Sequence, residues 1–77
     1  MRHQLLAHVK SGNTAKIIKI HGGINFQKKL NCMGLREGKI IEIKSRQPLM
    51  GPLTIKYGNS SFTIGRGMAH KIIVEVL

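Results

Sequence analysis

The sequence predicts a mainly β domain: a small, partly closed barrel of about five short strands with one short helix. Three observations carry this. Short runs rich in isoleucine and valine alternate with polar residues, the pattern of half-buried strands. Glycine, asparagine and proline separate those runs at short intervals. Only one stretch, Asn25 to Gly34, has apolar residues at helical spacing. So many short strands in 77 residues favour closure, because a closed sheet hides edges that would otherwise aggregate.

The elements follow in order. Leu5 to Lys10 is a short apolar lead-in, anchored through Leu6 and Val9. Ser11-Gly12-Asn13 is a turn by its residues. Thr14 to His21 is the first clear strand, with Ala15 and Ile17 on one face and Ile18 and Ile20 on the other. That break in alternation implies a bulge or burial on both sides. Gly22-Gly23 ends the strand.

The helix comes next, and the rest is organised around it. Asn25 is the expected cap, its side-chain oxygen taking a free N–H of the first turn. Phe26, Leu30 and Met33 share one face. Gln27, Lys28, Lys29 and Asn31 form the polar side. Gly34 stands where a helix end requires positive φ, and Leu35 where the apolar contact of such a cap belongs. Glu37-Gly38 turns the chain into a strand, Lys39 to Arg46.

Gln47 to Pro52 contains two prolines and a glycine, which exclude regular structure. Leu49 and Met50 are therefore apolar residues in a loop expected to be exposed. Leu53, Ile55 and Tyr57 alternate inward, Gly58-Asn59 makes a tight turn, and Phe62 and Ile64 return as a hairpin. Gly65 to His70 is a connector with room for one helical turn. Ile72, Val74 and Val76 alternate along a last strand.

Length sets one domain, residues 1–77. Thirteen Lys+Arg against three Glu give a net charge of +10. This implies an acidic counterpart: an acidic protein, nucleic acid or an anionic membrane surface. The basic residues are spread from Arg2 to Lys71 rather than clustered. Cys32 is alone, so no internal disulfide forms and a reducing compartment is expected. No run approaches the length of a membrane span, and the N-terminal apolar run is too short for a signal peptide. The expectation is a soluble cytoplasmic protein.

Catalytic patterns are missing. There is no aspartate, and Glu37, Glu42 and Glu75 are far apart in sequence, so no carboxylate pair is visible. Gly34 with Gly38-Lys39 falls one residue short of a phosphate loop, and Ile40 stands where magnesium needs Ser or Thr. Gly65-Arg66-Gly67 lacks the third glycine of a dinucleotide fingerprint. His3, His8, His21 and His70 have no metal-ligand spacing. Met33 is assigned to the core by its register, and Cys32 to a partly buried, inert thiol. The expectation is no enzyme, no cofactor and no tight metal site. A nucleic-acid binder acting through backbone electrostatics is the alternative. Single-strand binders use aromatic platforms, whereas Phe26, Tyr57 and Phe62 all fall at inward positions.

The pattern resembles the FeoA family of bacterial ferrous-iron uptake. The likeness runs from Leu6 to Val76. It starts with Leu6, Val9, Gly12, Ala15 and Ile17, then Gly22-Gly23. Its discriminating parts are Leu30-x-x-Met33-Gly34-Leu35-x-x-Gly38 and Pro48-Leu49-x-Gly51-Pro52. Ile64-Gly65-Arg66, Ala69, Ile72 and Val74 complete it. Glu37 stands where the family commonly has proline, and Cys32 and the high charge are particular to this chain. The resemblance implies an SH3-like barrel. The same domain type ends iron-dependent repressors, but no helix-turn-helix region precedes it here, so the free-standing form is expected. The resemblance also implies a non-enzymatic cytoplasmic protein acting on FeoB, a membrane ferrous-iron transporter with a GTP-binding domain. Arg36 and Arg66 are the candidates for an arginine acting in trans on GTP hydrolysis. Arg46, Leu49 and Met50 are the expected partner-binding patch.

Overall fold

A computed structural model describes residues 3–46 and 51–77. Six strands form one antiparallel sheet: β1 (His3–Leu5), β2 (Thr14–Ile20), β3 (Ile40–Arg46), β4 (Leu53–Tyr57), β5 (Ser60–Ile64) and β6 (Ile72–Val76). Their order across the sheet is β1-β6-β2-β3-β4-β5. A helix, α1 (Ile24–Cys32), joins β2 to β3, and a one-turn helix, α2 (Arg66–Ala69), joins β5 to β6. A 3-10 turn at Leu6–His8 follows β1 and packs on α2. The sheet wraps around a single core to which β2, β3, β4, β5 and β6 all contribute fully or nearly fully buried side chains.

β1 is the element beyond the expected five. His3-Gln4-Leu5 has too little alternation to read as a strand alone. It forms because β6 offers a partner edge, with His3 opposite Glu75 and Leu5 opposite Ile73. Leu6 and Val9 are buried as expected.

The irregular pattern of β2 is a bulge. Ile17 pairs with Val74 but Lys19 pairs with Ile73, so Ile18 is the extra residue. The shift brings Ile20 back to the core side, where Ala15, Ile17 and Ile20 are all buried and Ile18 only partly. A similar shift lies between Ile43 and Ser45 on β3.

Helix α1 starts two residues earlier than Asn25 predicts. Gly23 is the cap and no side chain bonds the first turn. The reason lies in the preceding turn: Gly22 takes φ of 124°, and Gln27 Nε2 donates to its carbonyl at 3.1 Å. A Cβ at Gly22 would lie 2.8 Å from Phe26 Cδ2, so only glycine lets the Phe26 ring fold back there. Asn25 is an exposed residue of the first turn. Leu30 is fully buried, with Phe26 and Met33 half-buried against the core. Cys32 is exposed, not partly buried as expected. The core face runs Phe26, Leu30, Met33, and Cys32 falls off it by helical register.

The hairpin forms as read. Tyr57 pairs with Ser60 and Leu53 with Ile64 around Gly58-Asn59. Leu53, Ile55 and Ile64 are fully buried, while Tyr57 and Phe62 are partly so.

Candidate interaction surface

Among the described residues no polar side chain is fully buried, no cavity opens into the core, and no three of His, Cys, Asp and Glu converge as metal ligands.

Arg36 is exposed in the turn between α1 and β3, where its carbonyl accepts the Lys39 N–H at 3.2 Å. Lys28, Lys29 and Lys39 are exposed as well. Residues 24–39 carry these four bases and one acid, Glu37, so the α1 end of the molecule is strongly cationic. Arg46 closes β3 at its other end, opposite Leu53 of β4. The seven residues of β3 separate it from the Arg36 turn by roughly 20 Å at about 3.3 Å per residue. Arg46 thus stands at the opposite end of β3 from the Arg36 turn. Leu49 and Met50 lie outside the described residues.

Arg66, the first residue of α2, is half-buried. Its Nη1 donates to the Ala7 carbonyl at 3.4 Å. Its Nε is buried with no hydrogen-bond partner among the described residues. The side chain thus ties α2 to the 3-10 turn, alongside the fully buried Ala7 and Ala69. An arginine committed to the frame is less free to reach a partner than Arg36.

On the sheet, Glu42 and Glu75 both have basic residues as cross-strand neighbours. Glu42 lies opposite Thr14 and Lys56, and Lys44 Nζ is 3.8 Å from its Oε2. Glu75 lies opposite His3 and Lys16. Both ions of the Lys44–Glu42 pair are well exposed, so it adds little stability. With both sheet carboxylates flanked, the excess charge stays spread over the surface.

Three features escape sequence reasoning. Lys71 Nζ lies 5.1 Å from the Phe26 ring centroid, a cation–π distance. The His8 and His70 rings meet edge-on with centroids 5.6 Å apart. Both are contacts across the fold, with no local signature. The third had one: Ile40 is 53% exposed while its neighbour Ile41 is buried, as strand alternation requires. Ile24, 69% exposed at the start of α1, adds a second apolar residue at the surface.

The comparisons with known proteins agree with this architecture. The profile of the FeoA domain family matches residues 4–76. The chain belongs to the FeoA family. It is 36% identical over 70 residues to a protein of Methanocaldococcus jannaschii that carries the name Fe(2+) transport protein A, covering 91% of this chain and 83% of that one. The crystal structure of an iron uptake regulatory protein, FeoA, superposes with a TM-score of 0.91 at 34% identity, over 99% of this chain and 100% of that one. An FeoA-like protein from Clostridium acetobutylicum gives a TM-score of 0.86 at 26% identity, over 100% and 90% of the two chains. A manganese-dependent transcriptional repressor shares the fold at 16% identity, with a TM-score of 0.88; this domain spans 42% of that chain. The fold is thus the SH3-like barrel of FeoA proteins.

Proposed function

We propose that this FeoA-family chain is a non-enzymatic accessory protein of ferrous-iron uptake that works in the cytoplasm by binding the cytoplasmic part of FeoB. The observation that carries the reading is the family match across residues 4–76. Relatives named for Fe(2+) transport and iron-uptake regulation support it. The surface supports a binding role: the core is closed and cationic residues are displayed on several sides. Arg36, exposed in a cationic setting, suits contact with an acidic partner better than the half-buried Arg66 does.

The nucleic-acid reading is weaker. Phe26, Tyr57 and Phe62 are each partly buried against the core, so none offers a fully exposed ring face for stacking bases. Backbone attraction alone would be non-specific and steeply salt-dependent.

A calorimetric titration tests the proposal. FeoB's cytoplasmic domain, with and without GTP, and random duplex DNA are added separately to this chain at physiological salt. The expected result is saturable binding to the FeoB domain and only weak, salt-sensitive binding to DNA. Tight DNA binding with no FeoB binding would overturn it.

A further inference from the structure

β5 is one edge of the six-stranded sheet. Its pairing with β4 decides which backbone groups are free. The two-residue loop Gly58-Asn59 places Tyr57 opposite Ser60, and in such a turn these two residues exchange hydrogen bonds. Bonded and non-bonded pairs then alternate along the ladder. Ser60, Phe62 and Ile64 bond to β4. Ser61 and Thr63 turn their N–H and C=O groups outward, where they meet no backbone partner among the described residues. Ser61 and Thr63 are also exposed.

Sheet edges open to solvent are usually blunted by charge, proline or a bulge. Ser60–Ile64 has no charge and no proline, and its register with β4 is unbroken. A strand added here would find a regular template.

Charge selects the occupant. Between Glu42 and Glu75 the sequence contains no acidic residue, but it contains Lys44, Arg46, Lys56, Arg66 and Lys71. Lys56 is exposed and directly opposite Ser61. Adjacent strands lie about 4.8 Å apart, so an added strand would lie roughly 10 Å from β4, within the combined length of the Lys56 side chain and a glutamate on that strand. On the other face Phe62 is half-buried and presents apolar surface to the alternate side chains. A second copy of this chain brings another +10 charge and is disfavoured by repulsion.

We infer that the outer edge of β5 is a docking site for an extended segment of a partner protein, alternating acidic and apolar residues, which joins the sheet as a seventh strand. This rests on the reading of the chain as a partner-binding module, and it names how the partner is held: main-chain bonds to Ser61 and Thr63, with Lys56 and Phe62 reading alternate side chains.

The test uses nitrogen-15-labelled protein and a blocked heptapeptide alternating valine and glutamate; the control peptide has lysine for glutamate. Amide exchange at Ser61 and Thr63 should be fast in the free chain and slow at least tenfold at saturating glutamate peptide. The lysine peptide should bind at least tenfold more weakly. Thr63→Pro removes an outward N–H and should abolish peptide binding. Thr63→Glu keeps that N–H and should weaken binding at least tenfold by repulsion; it carries the test if the proline variant does not fold. Slow exchange at Ser61 and Thr63 in the free chain, equal binding of both peptides, or a dimer of the free chain that Thr63→Glu dissolves would each overturn the proposal. So would a FeoB cytoplasmic domain that binds wild type and a folded Thr63→Pro equally, while leaving the FeoB reading standing. Peptide capture at β5 with no FeoB binding would do the reverse.

Discussion

The backbone N–H of Leu35 donates to the carbonyl of Leu30 across 2.9 Å, and both side chains are fully buried. With the Gly34 N–H donating to Asn31 at 2.9 Å, these are the two bonds of a Schellman cap. The cap does more than end the helix. It directs Leu35 back into the same core that holds Leu30, so the turn into β3 is fixed by burial at both ends.

Gly34 makes that reversal with φ of 86°. A Cβ there would also stand 3.1 Å from Tyr57 Cε2. Gly34→Ala should destabilise the fold by about 1–2 kcal/mol from the left-handed backbone alone, and by more if the Tyr57 ring resists moving. Gly12, at φ of 90° with open space around its Cβ position, is the matched control. Gly12→Ala should cost no more than Gly34→Ala in urea denaturation. A Gly34→Ala midpoint equal to wild type would show that the cap is not required.

Leu30 is the deepest residue of α1 and its only fully buried side chain. Leu30→Ala should cost about 2–5 kcal/mol through lost burial and the cavity left behind. Small domains have narrow stability margins, so a measurable unfolded fraction should appear without denaturant. An unchanged melting temperature would mean that α1 is not held by this residue.

These two positions show what was legible in the sequence. Periodicity exposed the Phe26, Leu30 and Met33 face, and Gly34 marked the cap, because both are local patterns. The bulge at Ile18 was visible as broken alternation. β1 was not visible, since three residues become a strand only against β6. The helix start was misplaced because Asn25 is a good cap in isolation, whereas the backbone turn at Gly22 settles the matter. At the surface, Arg36 and Arg66 look alike in sequence. Only the fold separates them, by setting Arg66 against the Ala7 carbonyl.

That difference is measurable. Arg66→Ala removes the donor to Ala7 and the packing of the side-chain stem. The bond is long at 3.4 Å, so the loss should be about 0.5–1.5 kcal/mol. Arg36→Ala should leave stability within about 0.5 kcal/mol of wild type, as for other exposed positions. In FeoB titrations Arg36→Ala should weaken binding, while Arg66→Ala should follow its loss of fold. A stable Arg66→Ala variant that alone loses FeoB binding would reverse these roles.

Leu49 and Met50 were expected from the sequence to form part of the partner contact with Arg46. The described structure places the ends of their loop. Arg46 pairs with Leu53, and Leu53 pairs with Ile64 at the end of β5, so the described residues nearest to 47–50 in sequence lie in the row that ends β5. Replacing Leu49 and Met50 together with serine should weaken FeoB binding roughly tenfold or more if the loop holds a hot spot. Melting should be unchanged, because the described core is continuous from Leu6 to Val74 without them. Combined with Thr63→Glu, the loss should exceed that of either change alone, since both would act on one bound segment. Wild-type FeoB binding by the folded double-serine variant would move the contact away from this end of the molecule. The exposed polar face of α1, with Lys28 and Lys29, would then be the surface to mutate.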